Sequence, residues 1–174
     1  MRSRFVSVNS KRFIRRILLL RFFWEARRLR LSSVKIAFRR VNSGTSFSTS
    51  VMYIEAPIEL IRVTHFEMGM MQVDASPHFQ YVRSFLEGPI CASVASRYRD
   101  YHRRQSMLDE VQLDQKEEIF QQLITLFLEC SPTYEILVKW QAAHEVFRVV
   151  DGFHRFSILA ALRPDHAVPL RVVS

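Results

Sequence analysis

The sequence predicts an α/β (α+β) fold, a small mixed sheet with helices packed against it. Three observations carry that expectation. Residues 134–173 alternate strand, strand, helix, strand, with polar turns between them. Asp114–Cys130 repeats its apolar residues at the 3, 4 spacing of an amphipathic helix. The composition, 48% hydrophobic and 24% charged over 174 residues, is that of one globular domain. It excludes a disordered chain and a multi-span membrane protein. With only four glycines, Gly-rich phosphate loops and collagen-like repeats are excluded as well.

The elements follow from local chemistry. Lys11–Leu31 (KRFIRRILLLRFFWEARRLRL) has helical propensity, with Phe13, Ile17, Leu20 and Trp24 on one stripe. Arginines at 15, 16, 21, 27, 28 and 30 are spread around it, so its amphipathicity is moderate. Arg21 cuts its apolar run too short for a signal peptide or a membrane span. Ser32–Ser50, rich in Ser, Arg and Asn, reads as a linker. The domain is therefore expected over residues 51–174, behind a basic helical arm and linker at 1–50.

Pro57–Val63 (PIELIRV) is expected as a strand and Thr64–Ser76 as a loop whose Met68, Met70 and Met71 fill gaps in a core. Ser76-Pro77 has the chemistry of a helix start, and Gly88-Pro89 that of a stop. Ala92–Gln105 reads as a second helix with arginines at 97, 99, 103 and 104 around Tyr98, Tyr101 and His102. Such a mixture either holds phosphates and bases or forms a solvated face with the tyrosines packed inward. Asp114 and Glu117 form a capping-box pair for the third helix, whose stripe is Ile119, Phe120, Leu123, Ile124, Phe127 and Leu128. Tyr134–Trp140 and Val146–Val150 form a hairpin, Phe153–Leu162 a helix and Val168–Val173 a last strand.

Charge is unevenly distributed. Residues 1–40 carry 13 Lys and Arg against the single acid Glu25, a net +12, whereas residues 41–174 carry 12 against 16 acids, a net −4. The overall +8 thus belongs to the arm. Residues 11–31 are its candidate contact with nucleic acid or an anionic membrane; a dispensable extension fits the same composition. Two cysteines, Cys91 and Cys130, are too few for a disulfide framework or a thiolate zinc site. They are expected as reduced, partly buried thiols of a cytoplasmic protein.

One motif carries chemistry. Asp151-Gly152-Phe153-His154-Arg155 stands where a strand meets a helix. The first N–H groups of a helix lack intrahelical partners, and the dipole adds positive charge there. Gly152 permits a tight turn, Arg155 offers a fork that matches phosphate oxygens, and His154 adds a donor. Asp151 would repel phosphate unless it binds a metal, accepts a proton or bonds its own turn. Asp74, His78, Asp100 and His102 are scattered, with no helix-register pairing, so a nuclease using metal-assisted hydrolysis ranks third among the functions and no metal ligands are assigned.

With its context, this segment resembles the ParB/sulfiredoxin-like superfamily, in particular its stand-alone ParB N-terminal-like domains. Val149, Val150, Asp151, Gly152, His154, Arg155, Ala160, Ala161, Val168, Pro169, Val172 and Val173 match the pattern, and PIELIRV and EILVKW fit in order. Coverage is roughly residues 54–174, with a helical insertion at 77–130 that the motif does not explain. The resemblance implies a domain whose motif cradles the phosphates of a nucleoside triphosphate with Mg²⁺. Gly152, His154 and Arg155 would bind phosphate and Asp151 would be the catalytic group.

The chain departs from each known activity. The sulfinic acid reductases have a reactive Cys where Phe153 stands. No helix-turn-helix follows, so chromosome partitioning is not expected. The kinase-like members add an upstream Glu, for which Glu55, Glu59 and Glu67 are the candidates. Nucleotide or phosphate binding is the expected function, with phosphoryl transfer or NTPase activity as its extension. A non-catalytic module acting through the arm is the alternative.

Overall fold

A computed structural model describes residues 35–42, 48–130, 132 and 134–173. The expected arm helix at 11–31 lies outside them. The described residues form β1 (Lys35–Asn42), β2 (Ser48–Ala56), β3 (Ile61–His65), β4 (Gly69–Met71), α1 (Pro77–Glu87), α2 (Ala92–Ser106), α3 (Glu110–Glu129), β5 (Leu137–Gln141), β6 (Val146–Asp151), α4 (Phe153–Leu162) and β7 (Val168–Val172). The mixed α/β class is the one the sequence predicts. No helix among the described residues is long and apolar enough to cross a membrane.

The strands form one sheet in the order β1-β2-β7-β5-β6-β3-β4. Its pairings are mixed: β5 runs parallel to β7 and β3 parallel to β6, and the other neighbours are antiparallel. Alternation along β3 and β7 sets which side is buried. Ile54 and Ala56 of β2, Val168 and Leu170 of β7 and Phe147 and Val149 of β6 join one core with Phe156, Leu159 and Ala160 of α4. On strand positions between them, Arg171 donates to Glu135 at 2.9 Å and Tyr53 donates to the same carboxylate at 3.2 Å.

A second core joins Tyr81 and Val82 of α1, Tyr98 of α2, Phe120 and Ile124 of α3 and Ile158 and Ala161 of α4. Helix α4 therefore lies between the sheet and the other three helices, and Phe156 through Ala161 are all buried.

Several boundaries differ from the sequence reading. The expected linker contributes β1 and the first residues of β2, whose pairing runs from Lys35↔Glu55 to Asn42↔Ser48. Strand β7 supplies β2 with its second neighbour. Pro57 opens a 3-10 turn over Ile58–Leu60, with Leu60 N–H bonded to the Pro57 carbonyl, so the strand expected at 57 starts at Ile61. Helix α3 starts four residues before the predicted cap. Asp109 accepts from Gln112 N–H at 2.8 Å while the Gln112 side chain accepts from Asp109 N–H at 3.1 Å.

The predicted stripe of α3 is also redrawn. Ile119 is 64% exposed and Leu128 52%, whereas Leu113, Phe120 and Ile124 are buried. Met71 packs on the sheet core, but Met68 is exposed. Both cysteines are exposed rather than partly buried. Helix α1 matches its prediction: the Ser76 hydroxyl accepts from Phe79 N–H at 3.2 Å and Pro77 takes the first helical position.

Candidate functional site

The junction of β6 and α4 opens into a cleft of about 810 Å³. Residues 151–155 line it together with Lys116 of α3 and with His78 and His102 of α1 and α2. Gly152 makes the junction geometrically. Its φ of +86° is left-handed, and an added Cβ would lie 3.1 Å from the Glu135 carbonyl oxygen and 3.2 Å from Ile136 Cα. A side chain there would meet rigid backbone as well as the left-handed strain.

Asp151 does not cap the helix. Its Oδ1 accepts from Gly152 N–H at 2.8 Å, and its Oδ2 stands 3.6 Å from Arg155 Nη2. The cap position is Gly152 itself, with no side-chain bond to the helix start. The carboxylate is thus folded onto its own turn and stays exposed. Arg155, one turn into α4, is half-buried beside it and lines the cleft.

The sequence expects His154 to add a donor at the motif. It is half-buried, and its Nε2 is hydrogen-bonded to Tyr98 Oη at 3.1 Å. Desolvation, then the charges of Lys116 and Arg155, hold its pKa down to about 4. It meets two histidines that the sequence left unconnected. One ring nitrogen from each of His78, His102 and His154 lies within 4.8 Å of the others.

His78 and His102 are buried, and neither ring nitrogen of either has a hydrogen-bond partner. Burial, then the other two histidines of the cluster, pushes His78 well below its ordinary pKa. Burial, then Lys116 and His154, pushes His102 down to about 3. All three rings are neutral near pH 7. Aromatic rings enclose them: the Phe153 centroid is 4.1 Å from that of His78, and Phe120 is 4.6 Å from His154.

Other candidates lie elsewhere. Asp74 accepts from the next residue's N–H, Asp100 is paired with Arg103, and Glu67 is paired with Arg104 at 2.7 Å. None of Glu55, Glu59 and Glu67 lines the cleft. The basic face of α2 is largely neutralised by α3. Arg99 contacts Glu110, Asp114 and Glu117 at 2.5–3.1 Å, and Arg103 contacts Glu110 at 2.6 Å. Tyr98 and Tyr101 are buried beneath it, which favours the packed reading of that helix over a base-stacking surface.

The arrangement offers anion chemistry and imidazole chemistry side by side. Amides at a helix start, a guanidinium and an ammonium suit phosphate oxygens, and neutral converging imidazoles suit a cation. Lys116, His78 and His102 were absent from the sequence-derived site because each comes from a different helix. Comparison with protein-family models, curated proteins and solved structures finds no match to this chain.

Proposed function

We propose that the cleft at the start of α4 binds the phosphates of a nucleotide, in a protein acting in the cytoplasm. The observation that carries this reading is the convergence of Arg155, Lys116 and the Gly152–Arg155 turn on one open cleft. The helix start supplies unbonded amides and a partial positive charge. Arg155 supplies a bidentate fork and Lys116 a point charge. The resemblance to ParB/sulfiredoxin-like domains supports the same reading through Asp151, Gly152 and Arg155. Asp151, exposed at the mouth, would serve Mg²⁺ or an acceptor hydroxyl if phosphoryl transfer follows binding. His154 contributes as part of the cleft wall. The net +12 of residues 1–40 supports a separate contact, to nucleic acid or an anionic membrane, that does not bear on the cleft.

Calorimetric titration of ATP, CTP and GTP, each with Mg²⁺, into the full chain tests the reading. The wild type is expected to bind at least one of them. Arg155→Ala and Lys116→Ala are each expected to weaken that binding about tenfold or more, equivalent to about 1.4 kcal/mol. Both positions are partly solvent-accessible, so the fold is expected to survive. Undiminished affinity in Arg155→Ala, or no binding by the folded wild type, would overturn the assignment. Phosphate release from the bound nucleotide then separates turnover from binding alone.

A further inference from the structure

We infer that His78, His102 and His154 form a binding site for a divalent transition metal ion of the zinc type. This goes beyond nucleotide binding and shares only His154 with the sequence-derived phosphate site. Three helices, α1, α2 and α4, each deliver one imidazole, and the three nitrogens already lie within 4.8 Å of one another. A tetrahedral ion with bonds of about 2.05 Å needs separations of about 3.4 Å, so binding draws the nitrogens together by up to about 1.4 Å.

The second observation is the missing partners. Four ring nitrogens, two on His78 and two on His102, are buried without a hydrogen bond. Leaving a buried polar atom unpaired costs about 1–3 kcal/mol. A neutral imidazole has one lone-pair nitrogen and one N–H, so the two buried rings offer two lone pairs and two N–H groups without partners. A metal ion takes up the lone pairs, and imidazole suits zinc, copper, nickel and iron rather than magnesium or calcium. Hydrogen bonding to water or phosphate would also satisfy the ring N–H groups. It would not by itself explain three lone-pair donors converging on one point within an aromatic shell.

The surroundings fit such a site. Tyr98 holds Nε2 of His154, and in the tautomer protonated there the lone pair lies on Nδ1. An outer partner of this kind fixes a metal-binding imidazole. Phe120, Phe153 and Tyr101 pack against the rings, and His78 and His102 are buried. All three histidines line the cleft, so the remaining coordination position belongs to water or to an oxygen of a cleft ligand. Lys116 and Arg155 oppose a bare cation and favour an anionic oxygen in that position.

Cobalt(II) is the probe, added without nucleotide to full-length protein stripped by a chelator. The expected result is one tightly held Co²⁺ per chain, with the intense visible bands of a tetrahedral nitrogen-ligated ion, displaced by one equivalent of Zn²⁺. X-ray absorption at the zinc edge should count three imidazoles. His102→Gln and His78→Gln should each weaken Co²⁺ binding at least a hundredfold, and His166→Ala, an exposed histidine outside the cluster, should leave it unchanged. Should the cluster variants fail to fold, the wild-type spectra still decide. No stoichiometric metal, an octahedral all-oxygen spectrum, or binding that His166→Ala impairs as much as His102→Gln would overturn the site. Because nucleotide is absent, that outcome leaves the phosphate reading to its own titration.

Discussion

At the scale of single residues, the histidine cluster ties stability to pH. The pKa of His102 sits at about 3 and that of His154 at about 4, and His78 is shifted in the same direction, with burial the largest cause in each. In the unfolded chain each returns to about 6.5. As pH falls below about 6.5, the unfolded state takes up protons that the folded state refuses. The stabilisation is therefore complete above that value and is lost progressively as pH falls from about 6.5, down to about 4 for His154 and about 3 for His102. Each histidine contributes a slope of up to about 1.4 kcal/mol per pH unit there. Urea unfolding of chelator-treated protein at a series of pH values should show this loss. His102→Gln should flatten it by one histidine's share, whereas an unchanged slope would mean that His102 is already charged in the fold. Sequence reasoning found one third of this cluster. Asp151-Gly152-x-His154-Arg155 is visible because a strand, a turn and a helix meet within a few residues. His78 and His102 carry no such local signal, since only the packing of α1 and α2 against α4 brings them to His154.

Helix α3 shows, at the scale of an element, where pattern reading succeeds and where it is degenerate. The helix was legible from its apolar spacing, but two capping-box pairs compete for its start. Asp109 with Gln112 and Asp114 with Glu117 have the same spacing, and the structure uses the first. Asp114 and Glu117 are occupied elsewhere, against Arg99, and Glu117 also accepts from Tyr81 Oη at 2.6 Å. With the helix begun earlier, Leu113 joins Phe120, Leu123, Ile124 and Phe127 on the buried face, while Ile119 and Leu128 at its margin stay exposed. Two substitutions on this one helix measure where that face ends. Ile124→Ala should cost about 2–5 kcal/mol, since it opens a cavity in the helical core. Ile119→Ala should stay within about 0.5 kcal/mol of wild type, as exposed positions do. Equal losses in chemical denaturation would return the face to the one the sequence suggested.

For the molecule as a whole, the sheet is wider than its sequence implied. The strands after residue 136 were legible because β-branched residues alternate between tight turns. The first hairpin was not, because Ser, Asn and Arg on an outer hairpin lack the apolar alternation that marks a half-buried strand. A chain starting at Val51 would lose β1 and the start of β2, stripping β2 of one hydrogen-bonded neighbour and turning it into an open edge. Such a truncation should melt lower than a chain starting at Lys35 and should self-associate in size-exclusion chromatography. Equal melting temperatures and monomeric elution of both would show that the hairpin contributes nothing to the fold.

Strand β7 joins that hairpin to the remainder of the sheet, pairing with β2 on one side and β5 on the other. Residues 35–56 are thus synthesised long before the partner they need. At about 5–20 residues per second, the roughly 116 residues between Ala56 and Val172 take on the order of 6–23 s to appear. Throughout that interval a nascent hairpin waits beside the ribosome with one side unsatisfied. Translation speed over the middle of the message, and any chaperone that shields the early strands, therefore become determinants of yield for this protein.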